Sequence, residues 1–498
     1  MTVVAERAVV RATAGAKEWL GLVVLAFAVL LIAIDATVLD VALPFISADL
    51  EPTAPQLLWI IDVYSFVLAG LLITMGTLGD RIGRRRLLLI GAAGFGVASA
   101  IAAFAVSPEM LIAARALQGV AGATLMPATL GLIRAIFTNP RQRTTAIAVW
   151  AAMAGGGAAV GPLLGGWLLE HFWWGSVFLI NLPLMLALIV FGPLVIPEAR
   201  DPKPGKFDIL SAALSMLAVL PIVYAIKEIA AHGPSLVAGV AAMLGVLAGA
   251  VFVARQRSLT DPMLDLSLFG NRAFRMAVTT DFLSVFALAG LLFFGAQYLQ
   301  VVAGLSPLEA GLAMLPGTAT SVAASIGAAW LLRSLRTGLV LASAVATSAL
   351  GSAVLLATQA GGSINAFVIG FVLVGAGVGT ALTVTSDIVV SSVEPARAGA
   401  ASAVAETAYE LGAAAGVAVL GSVVLAVFRG GIDLSGLTPE QAVTSETLGG
   451  AAEVAGELGN PAWFVEAMHG AFVSGMHVAA AITAVVLAVA AMRAIRLR

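Results

Sequence analysis

Acidic residues within apolar segments are the chemically most informative feature of this sequence. Eight ionisable residues of these segments are candidates for function, one arginine and seven acids: Asp35, Asp40, Asp62, Arg115, Asp281, Asp387, Glu406 and Glu410. A charged side chain at the centre of a bilayer costs about 2.5–3.5 kcal/mol on insertion scales, so such residues usually pair, face water or serve a function. One arginine cannot neutralise seven acids. We therefore expect some of these carboxylates to be protonated or to face water, which is what a proton carrier needs.

Glu406 and Glu410 are spaced so that both lie on one face of a helix. They are four residues apart, and Tyr409 lies beside them; residues at this spacing are neighbours on a helix surface. Both fall near the middle of an apolar segment, where transporter sites usually lie. Two such carboxylates can share a proton or bind a cation, and the spacing leaves both uses open. Asp62 and Asp281 are further candidates for proton coupling.

The composition indicates a membrane protein with many transmembrane helices. Hydrophobic residues make up 60% of the 498 positions, charged residues make up 11%, and the mean hydropathy is +1.03, whereas a soluble domain is about 25% charged. There is no cysteine, which excludes thiol chemistry, and the histidines show no metal-ligand spacing. Apolar stretches long enough to cross a bilayer predict fourteen helices at 19–43, 56–78, 87–106, 109–132, 144–168, 174–196, 208–228, 235–254, 275–301, 308–332, 337–357, 364–388, 399–427 and 470–493.

The positions of the basic residues test this count, because Lys and Arg accumulate in cytoplasmic loops. With the N-terminus inside, all but three of the 26 Lys and Arg residues fall in predicted cytoplasmic segments; the exceptions are Arg115, Lys227 and Arg429. An odd number of helices would place the later basic clusters outside. An even count with both termini in the cytoplasm is therefore favoured.

The predicted extracellular segment 428–469 is long and acidic. It carries Asp433, Glu440, Glu446, Glu453, Glu457 and Glu466, with Arg429 as its only base. Two interpretations stay open: a flap that influences how cations leave, or a solvated loop whose acids only reflect the topology.

Residues 76–86, between the second and third predicted helices, read GTLGDRIGRRR. The residues that define this pattern are Gly76, Asp80, Arg81, Gly83 and Arg84. In such a tight basic turn, Asp80 can cap a helix end, and the arginines can bind helix C-termini and carboxylates. The segment is therefore expected to act as a cytoplasmic latch in one conformation.

Three further patterns lie within predicted helices. Residues 35–44 read DATVLDVALP, and residues 115–119 read RALQG. Residues 157–166 read GAAVGPLLGG, in which small residues let helices approach closely and a proline bends the helix. The residues that define this last pattern are Gly157, Gly161, Pro162, Gly165 and Gly166.

Together the four patterns resemble the major facilitator superfamily and, within it, the fourteen-span drug:proton antiporters. Segment 76–86 follows the superfamily's loop motif G-x-L-x-D-R-x-G-R-[KR]-x. Segment 157–166 follows G-x-x-x-G-P-x-x-G-G, which is associated with antiporters rather than symporters. Segment 35–44 matches D-x-T-x-x-N-x-A-L-P except that Asp40 replaces Asn, and 115–119 matches R-x-x-Q-G, with Ala121 where Gly is common. The intramembrane acids are similar to those of QacA/SmvA/LfrA-type multidrug pumps.

The resemblance implies an all-α major facilitator fold with two six-helix halves and two inserted helices. The implied units are a cytoplasmic N-terminus at 1–18, an N-terminal half at 19–197, the inserted helices at 198–258 and a C-terminal half at 259–498. The halves are expected to rock about a central cavity, with the inserted pair at the periphery.

The resemblance also implies proton-coupled export of lipophilic mono- and dicationic compounds from a bacterial inner membrane. Quaternary ammonium antiseptics, cationic dyes and fluoroquinolones are the implied substrates, and Arg115 is implied in proton relay with Asp35 as its partner. The proton gradient would drive export by a monomer, without a cofactor, nucleic acid or obligate protein partner. Cation–π contact favours aromatic residues in the site. The candidate substrate-binding residues are Glu406, Glu410, Asp62, Tyr409, Trp59, Tyr64, Phe286, Phe293 and Phe294.

Other functions are compatible with the same fold. An exporter of a native lipid or metabolite, with incidental drug transport, is the main alternative, and a nutrient:proton symporter is a second, which the glycine pattern at 157–166 disfavours. A membrane enzyme or a channel is disfavoured, because the sequence shows no catalytic constellation and no selectivity-filter motif.

Overall fold

The computed structural model describes residues 13–200, 208–233, 235–260, 262–434 and 436–496. Within these ranges, the side chains at 40, 44, 54, 55, 58, 158, 159, 162, 227, 230–232, 307 and 396 are not described. The predictions for residues 1–12 and for the side chains of Asp40, Pro162 and Lys227 therefore lie outside the described residues.

Long helices account for most of the first half of the chain. They are α1 (Ala16–Leu50), α2 (Ala54–Ile82), α3 (Arg84–Ala103), α4 (Pro108–Ile136), α5 (Pro140–His171), the short α6 (Ser176–Leu179), α7 (Asn181–Val195), α8 (Ile209–His232) and α9 (Leu236–Ser258). Side-chain caps begin several of them. The hydroxyl of Ser107 accepts a hydrogen bond from Met110 N at the start of α4, and Pro108 follows at the first helical position.

The second half continues in the same way. Its helices are α10 (Arg272–Gln297), α11 (Pro307–Leu331), α12 (Thr337–Val354), α13 (Asn365–Ser391), α14 (Ala398–Ala415), α15 (Gly421–Gly431), the short α16 (Pro439–Thr444), α17 (Leu448–Glu457) and α18 (Ala462–Ala494). A π-helical turn, Gly416–Leu420, joins α14 to α15, and another, Tyr298–Val302, extends α10. Such turns are frequent at functional sites.

A helix is present at every predicted transmembrane position. Thirteen helical segments of the described part are long and apolar enough to cross a membrane, and the described ranges contain no strand. The all-α, multi-pass membrane architecture is thereby confirmed. The fifth predicted span coincides with α5, which is 32 residues long but is not one of the thirteen. Fourteen crossings and two cytoplasmic termini stay predictions.

The helices pack in two groups, α1–α7 and α10–α18. In the first group α1 packs on α5 and α2 on α4; in the second group α13 packs on α11 and α12, and α18 on α12 and α15. Each group has its own hydrophobic core. Between the groups, α2 packs on α14 and α5 on α11. These two helix pairs form the seam of the molecule.

The glycine pattern of α5 is explained by its contact with α1. A Cβ atom on Gly157 would lie 2.5 Å from the carbonyl oxygen of Leu30, and one on Gly165 would lie 2.7 Å from a methyl group of Val38. A Cβ atom on Gly161 would collide with the hydroxyl of Thr37. Gly166, by contrast, has nothing within 4 Å of its Cβ position. Three glycines of the motif therefore serve helix packing on α1, and Gly166 does not.

Gly157→Ala is expected to destabilise the protein by about 1–3 kcal/mol, the usual cost of overpacking, because a backbone carbonyl cannot move aside. Gly166→Ala is the matched control and should be neutral or slightly stabilising, since alanine favours helices. Thermal unfolding of both purified variants in detergent measures the difference. Equal melting temperatures would show that the α1–α5 contact does not depend on glycine at this position.

The inserted helices α8 and α9 form a hairpin. Asp208, the cap of α8, accepts hydrogen bonds from the Arg255 guanidinium of α9 at 2.9 and 3.1 Å. These bonds lower the pKa of Asp208 to about 2, so the pair stays ionised near neutral pH. The helix α9 is largely exposed, as a peripheral position predicts.

The helix α8 packs against α2, which presents small residues to it, while only 33% of its apolar segment is buried. Leu220 of α8 occupies the space that a side chain at Gly70 would need, with 2.8 Å from the Cβ position to the nearest atoms. Further along the same contact, the buried hydroxyls of Thr74 and Ser215 are hydrogen-bonded at 3.3 Å. α8 also contacts α14 and the π-helical turn that follows it. It therefore covers the seam between the two groups.

The acidic segment predicted as an outer loop is partly helical and packed. Leu448, Ala451 and Val454 of α17 are buried in the core of the second group, and Arg429 pairs with Glu446 at 3.1 Å. This segment is therefore a folded cap with an acidic outer surface.

Candidate proton-coupling and cation-binding sites

A buried ion pair joins α1 to α4. The Nη1 of Arg115 donates to Oδ2 of Asp35 at 2.8 Å, and the two side chains are 2% and 0% exposed. The pairing expected from the sequence is present. Removing one partner of a buried pair costs about 3–5 kcal/mol, because the other charge is left uncompensated. The two residues therefore stabilise the first helix group only as a pair.

Neutral polar side chains complete the surroundings of Asp35. The Nδ2 of Asn181 donates to Oδ1 of Asp35 at 2.7 Å and to the hydroxyl of Ser99 at 3.0 Å. The Nε2 of Gln118 makes the same two contacts at 3.3 and 2.9 Å. The carboxylate of Asp35 thus connects α1 to α4 and α7, and Ser99 connects α3 to the same hydrogen-bond network.

Tyr64 of α2 lies over this cluster. The Cζ of Arg115 is 4.5 Å from the centroid of the Tyr64 ring, which is a cation–π contact. The ring is buried, and its hydroxyl has no hydrogen-bond partner among the described residues. Asp35 and also Glu410, from the second helix group, are close enough to act on Tyr64 electrostatically. Tyr64 is therefore within electrostatic reach of carboxylates of both groups.

A second set of acids lies between α10 and α14. The side chains of Asp281 and Glu406 are buried, and Glu406 is close enough to both Asp281 and Glu410 for like charges to repel. Asp281 accepts a hydrogen bond from Thr385 Oγ1 at 3.2 Å. Glu406 has neither a hydrogen bond nor an ion pair with the described residues. This pair of acids thus lacks the compensation that Asp35 receives from Arg115.

Glycines of α14 and of the π-helical turn that follows it let α14 approach α10 closely. A Cβ atom on Gly412 would lie 2.6 Å from the carbonyl oxygen of Phe282, and one on Gly416 would collide with that of Phe286. The backbones of the two helical segments, α10 on one side and α14 with its π-helical turn on the other, can therefore come into contact. Asp281 precedes Phe282, and Glu406 lies on α14 before Gly412, so this close approach of the helices brings the segments that carry the two carboxylates together.

Glu410, one helical turn beyond Glu406, lies in the wall of a cavity. The cavity has a volume of about 280 Å³, near the lower end of the range of ligand sites. Residues of four helices and of the π-helical turn line it: Ser65, Ala69, Val223, Ala289, Glu410 and Val417. An acid in a mostly apolar wall suits a lipophilic cation, which needs both a counter-charge and an apolar surface.

The aromatic residues predicted to bind substrate are dispersed. Trp59 and Phe293 are 45% and 44% exposed. Phe294 is buried in the core of the second group, and the ring of Phe286 stacks on that of Phe282 at 6.3 Å. These residues lie outside the described lining of the cavity.

Tyr409 and Asp62 are both half-buried. Tyr409 precedes Glu410 on α14 and experiences the charges of Glu410, Glu406 and Asp281. Asp62 lies on α2, about one turn before Ser65 of the cavity wall. Both residues are therefore near the cavity in sequence, on helices that form its wall.

The turn between α2 and α3 connects the two helix groups. It does so at the helix ends that the arginine distribution predicts to be cytoplasmic, which are called the inner ends below. The carboxylate of Asp80 accepts hydrogen bonds from the backbone N–H groups of Gly399 and Ala400 at 3.1 and 3.0 Å. These are among the first N–H groups of α14, so Asp80 caps that helix from the other group. Arg84, which is buried, donates to Asp80 at 2.7 Å and to the carbonyl oxygen of Pro395 at 2.7 Å. Asp80 and Arg84 thus connect the two groups at the segment predicted to act as a latch, and the latch role itself stays a prediction.

The turn itself depends on glycines. Gly83 has φ of +109°, which favours glycine, and a Cβ atom on Gly76 would lie 2.7 Å from both Ala403 Cβ and the carbonyl oxygen of Gly399. Arg81, the remaining residue of the motif, is half-buried at the end of α2. The motif therefore combines a left-handed turn with a close crossing of α2 and α14.

Asp387 is part of this inner contact, and the expectation that Arg115 is the only base available to the intramembrane acids needs correction. Arg143 of α5 donates to Asp387 of α13 at 3.2 Å and to the hydroxyl of Ser391 at 2.8 Å. Thr144 donates to the same carboxylate at 3.1 Å. The reason is that α5 begins at Pro140, before the predicted start at 144, which places Arg143 within the helix. The two helix groups are therefore closed against each other at their inner ends.

The sequence patterns did not reveal several residues of these sites. Asn181 and Gln118 contact Asp35; Gln118 belongs to the R-x-x-Q-G pattern, but neither of these contacts with Asp35 was predicted. Val223 and Ala289 line the cavity, and apolar residues in apolar helices cannot be distinguished by composition. Only the tertiary contacts single them out.

Comparison with known proteins identifies the family of this chain. A family model described as "Major Facilitator Superfamily" matches residues 25–417. The multidrug efflux pump LfrA of Mycolicibacterium smegmatis is 48% identical over 95% of this chain and 95% of its own. The methyl viologen resistance protein SmvA of Salmonella typhimurium is 38% identical over 89% of this chain and 90% of its own.

A solved structure shares the fold. The human organic anion transporter MFSD10 (TETRAN) superimposes with a TM-score of 0.62 at 16% sequence identity, over 94% of this chain and 99% of its own. At this identity the likeness supports the architecture alone.

Proposed function

Because this chain belongs to the Major Facilitator Superfamily and is a multi-pass transporter of the bacterial cell membrane, we propose that it is a proton-coupled multidrug efflux antiporter. The proposed substrates are lipophilic mono- and dications, such as quaternary ammonium antiseptics, cationic dyes and, among drugs, fluoroquinolones. The similarity to a multidrug efflux pump and to a methyl viologen resistance protein supports this class of cargo.

The observation that carries the proposal is the position of Glu410 beside two buried acids. Glu410 offers a counter-charge in an apolar cavity. Glu406 is within electrostatic reach of both Glu410 and Asp281, and it has no basic partner among the described residues. We assign cation binding to Glu410 and proton carriage to Asp281 and Glu406. A cation that enters the cavity would displace a proton from this group, which couples the two fluxes.

The proposed cycle is an alternation of the two helix groups about this site. In the state closed at the inner ends, Asp80, Arg84 and the Arg143–Asp387 pair hold the groups together. Opening the inner side requires all of these contacts to break. Protonation of the acids between α10 and α14 changes the charge next to the α2–α14 seam, and this is the event we propose to favour one state over the other.

The Asp35–Arg115 pair is proposed to relay between the proton site and the first helix group. Tyr64 supports this role, since it contacts Arg115 and experiences the charge of Glu410. A change of charge at Glu410 would therefore act on the ion pair through one aromatic ring.

Ethidium uptake into energised inverted membrane vesicles tests the proposal. Vesicles with the protein should accumulate ethidium, a protonophore should abolish the accumulation, and ethidium addition should release protons from the lumen. Vesicles from cells without the protein are the control. Uptake that a protonophore leaves unchanged would reject proton coupling. No uptake of any lipophilic cation would reject drug transport in favour of a native lipid or metabolite, which lipid transfer between reconstituted vesicles would then reveal.

A further inference from the structure

The cavity beside Glu410 has one wall that does not belong to either six-helix half. Val223, on the inserted helix α8, lines the cavity together with residues of α2, α10 and α14. The side chain of Val223 is 3% exposed, so it faces the interior rather than lipid. An insert that served only as a linker would have no reason to contribute to this cavity.

The position of α8 is defined by several contacts with α2. The Thr74–Ser215 hydrogen bond and the fit of Leu220 against Gly70 hold its first part. Near the cavity, the ring of Tyr224 lies 6.5 Å from that of Phe66. The helix is thus fixed to the first group over its length beside the cavity.

The same helix reaches across the seam to the second group. Leu411 and Ala414 of α14 pack against a cluster that includes Val219 and Val223. α14 also carries Glu410. One wall of the cavity therefore moves with α2, and the acid moves with α14, so that rocking of the two groups must change the width between Val223 and Glu410.

We propose that α8 is a wall of the cation-binding pocket and that Val223 limits the size of the lipophilic body that can lie beside Glu410. The ligand class is an organic cation with an apolar body, since Ala69, Ala289 and Val223 line the same cavity as the acid and make its wall mostly apolar. This inference rests on the proposed function, because it assigns a wall and a size limit to the same cation site.

The chain offers a direct test because it contains no cysteine. Val223→Cys introduces a single thiol in the cavity wall, and Leu217→Cys introduces one on the 49% exposed outer face of the same helix. Both are labelled with methyl methanethiosulfonate in native membranes. Ethidium at about ten times its Kd should slow the labelling of Val223→Cys about ten-fold, as simple occupancy predicts, and should not affect Leu217→Cys.

A second pair of variants tests size selection. Val223→Phe should reduce the export of ethidium more than that of the smaller dication methyl viologen, and Val223→Ala should do the reverse. Val219→Phe, a valine one turn away that packs against α2, is the matched control and should change both substrates equally. Thermal unfolding of each variant identifies any that does not fold.

The outcomes separate this inference from the proposed function. Failure of the thiol at Val223 to react, or labelling that ethidium does not slow, would overturn the assignment of α8 even if proton-driven efflux is present. Protection by ethidium in membranes that show no proton-dependent efflux would support the pocket wall and reject antiport.

Discussion

Arg115→Met is expected to abolish transport and to destabilise the protein by about 3–5 kcal/mol, the cost of leaving one partner of a buried ion pair alone. The carboxylate of Asp35 is fully buried, and Arg115 is its only basic partner among the described residues. Asp35→Asn should also destabilise the protein, because it leaves the buried guanidinium of Arg115 without a counter-charge. Thermal unfolding in detergent, together with ethidium efflux from cells, measures both effects.

The double variant Asp35→Asn/Arg115→Met separates stability from function. Because it removes both charges, it should recover most of the melting temperature lost in either single variant, yet remain inactive if the pair relays a proton. Arg141→Met, at an exposed arginine of α5, is the matched control and should behave as wild type. A double variant that transports at the wild-type rate would show that the pair is only structural.

Glu406→Gln is expected to remove one proton from the exchange and to affect dications far more than monocations. Moving one charge through 100 mV is worth about 2.3 kcal/mol. Exchange of two protons for one dication is electrically neutral. Exchange of one proton for one dication moves a net positive charge out of the cell, which the membrane potential opposes. At 100 mV without a pH gradient, the attainable gradient of methyl viologen should therefore fall about fifty-fold, since about 1.4 kcal/mol corresponds to a factor of ten.

Ethidium supplies the comparison, because exchange of a monocation for one proton is electroneutral and should persist in Glu406→Gln. Asp281→Asn should show the same pattern, since the two carboxylates share one site. Glu170→Gln, at an exposed glutamate near the end of α5, is the control. Equal loss of both substrates in Glu406→Gln would contradict the division of roles between Glu406 and Glu410.

The fold could be predicted from the sequence to the level of individual helices. In a bilayer every backbone polar group must be satisfied within the segment, so apolar length alone predicts a helix. The ends were less predictable, because helix boundaries in water depend on caps and packing. α18 begins at Ala462 rather than at the predicted 470, and α5 begins at Pro140 rather than at 144.

The acids of the candidate site and the Asp35–Arg115 pair could be predicted from the sequence, but the partners and surroundings of the other acids could not. Asp35, Asp281 and Glu406 stand out because a carboxylate in an apolar segment is costly wherever the helix lies. Their environments differ, however. Asp35 is held by a guanidinium and two amides, whereas Glu406 lies beside other acids.

The sequence alone determined the membrane class, the positions of the helices and the short set of intramembrane acids, because each depends on local composition. The tertiary structure decided which helix faces meet. It paired Arg143 with Asp387, 244 residues away. It also placed Gly157 against the backbone of α1 while leaving the Cβ position of Gly166 without a neighbour. Finally, it brought α8 to the wall of the cavity. Contacts between distant segments depend on how helices pack, and helices that are apolar on all sides carry no periodic signal of their packing face.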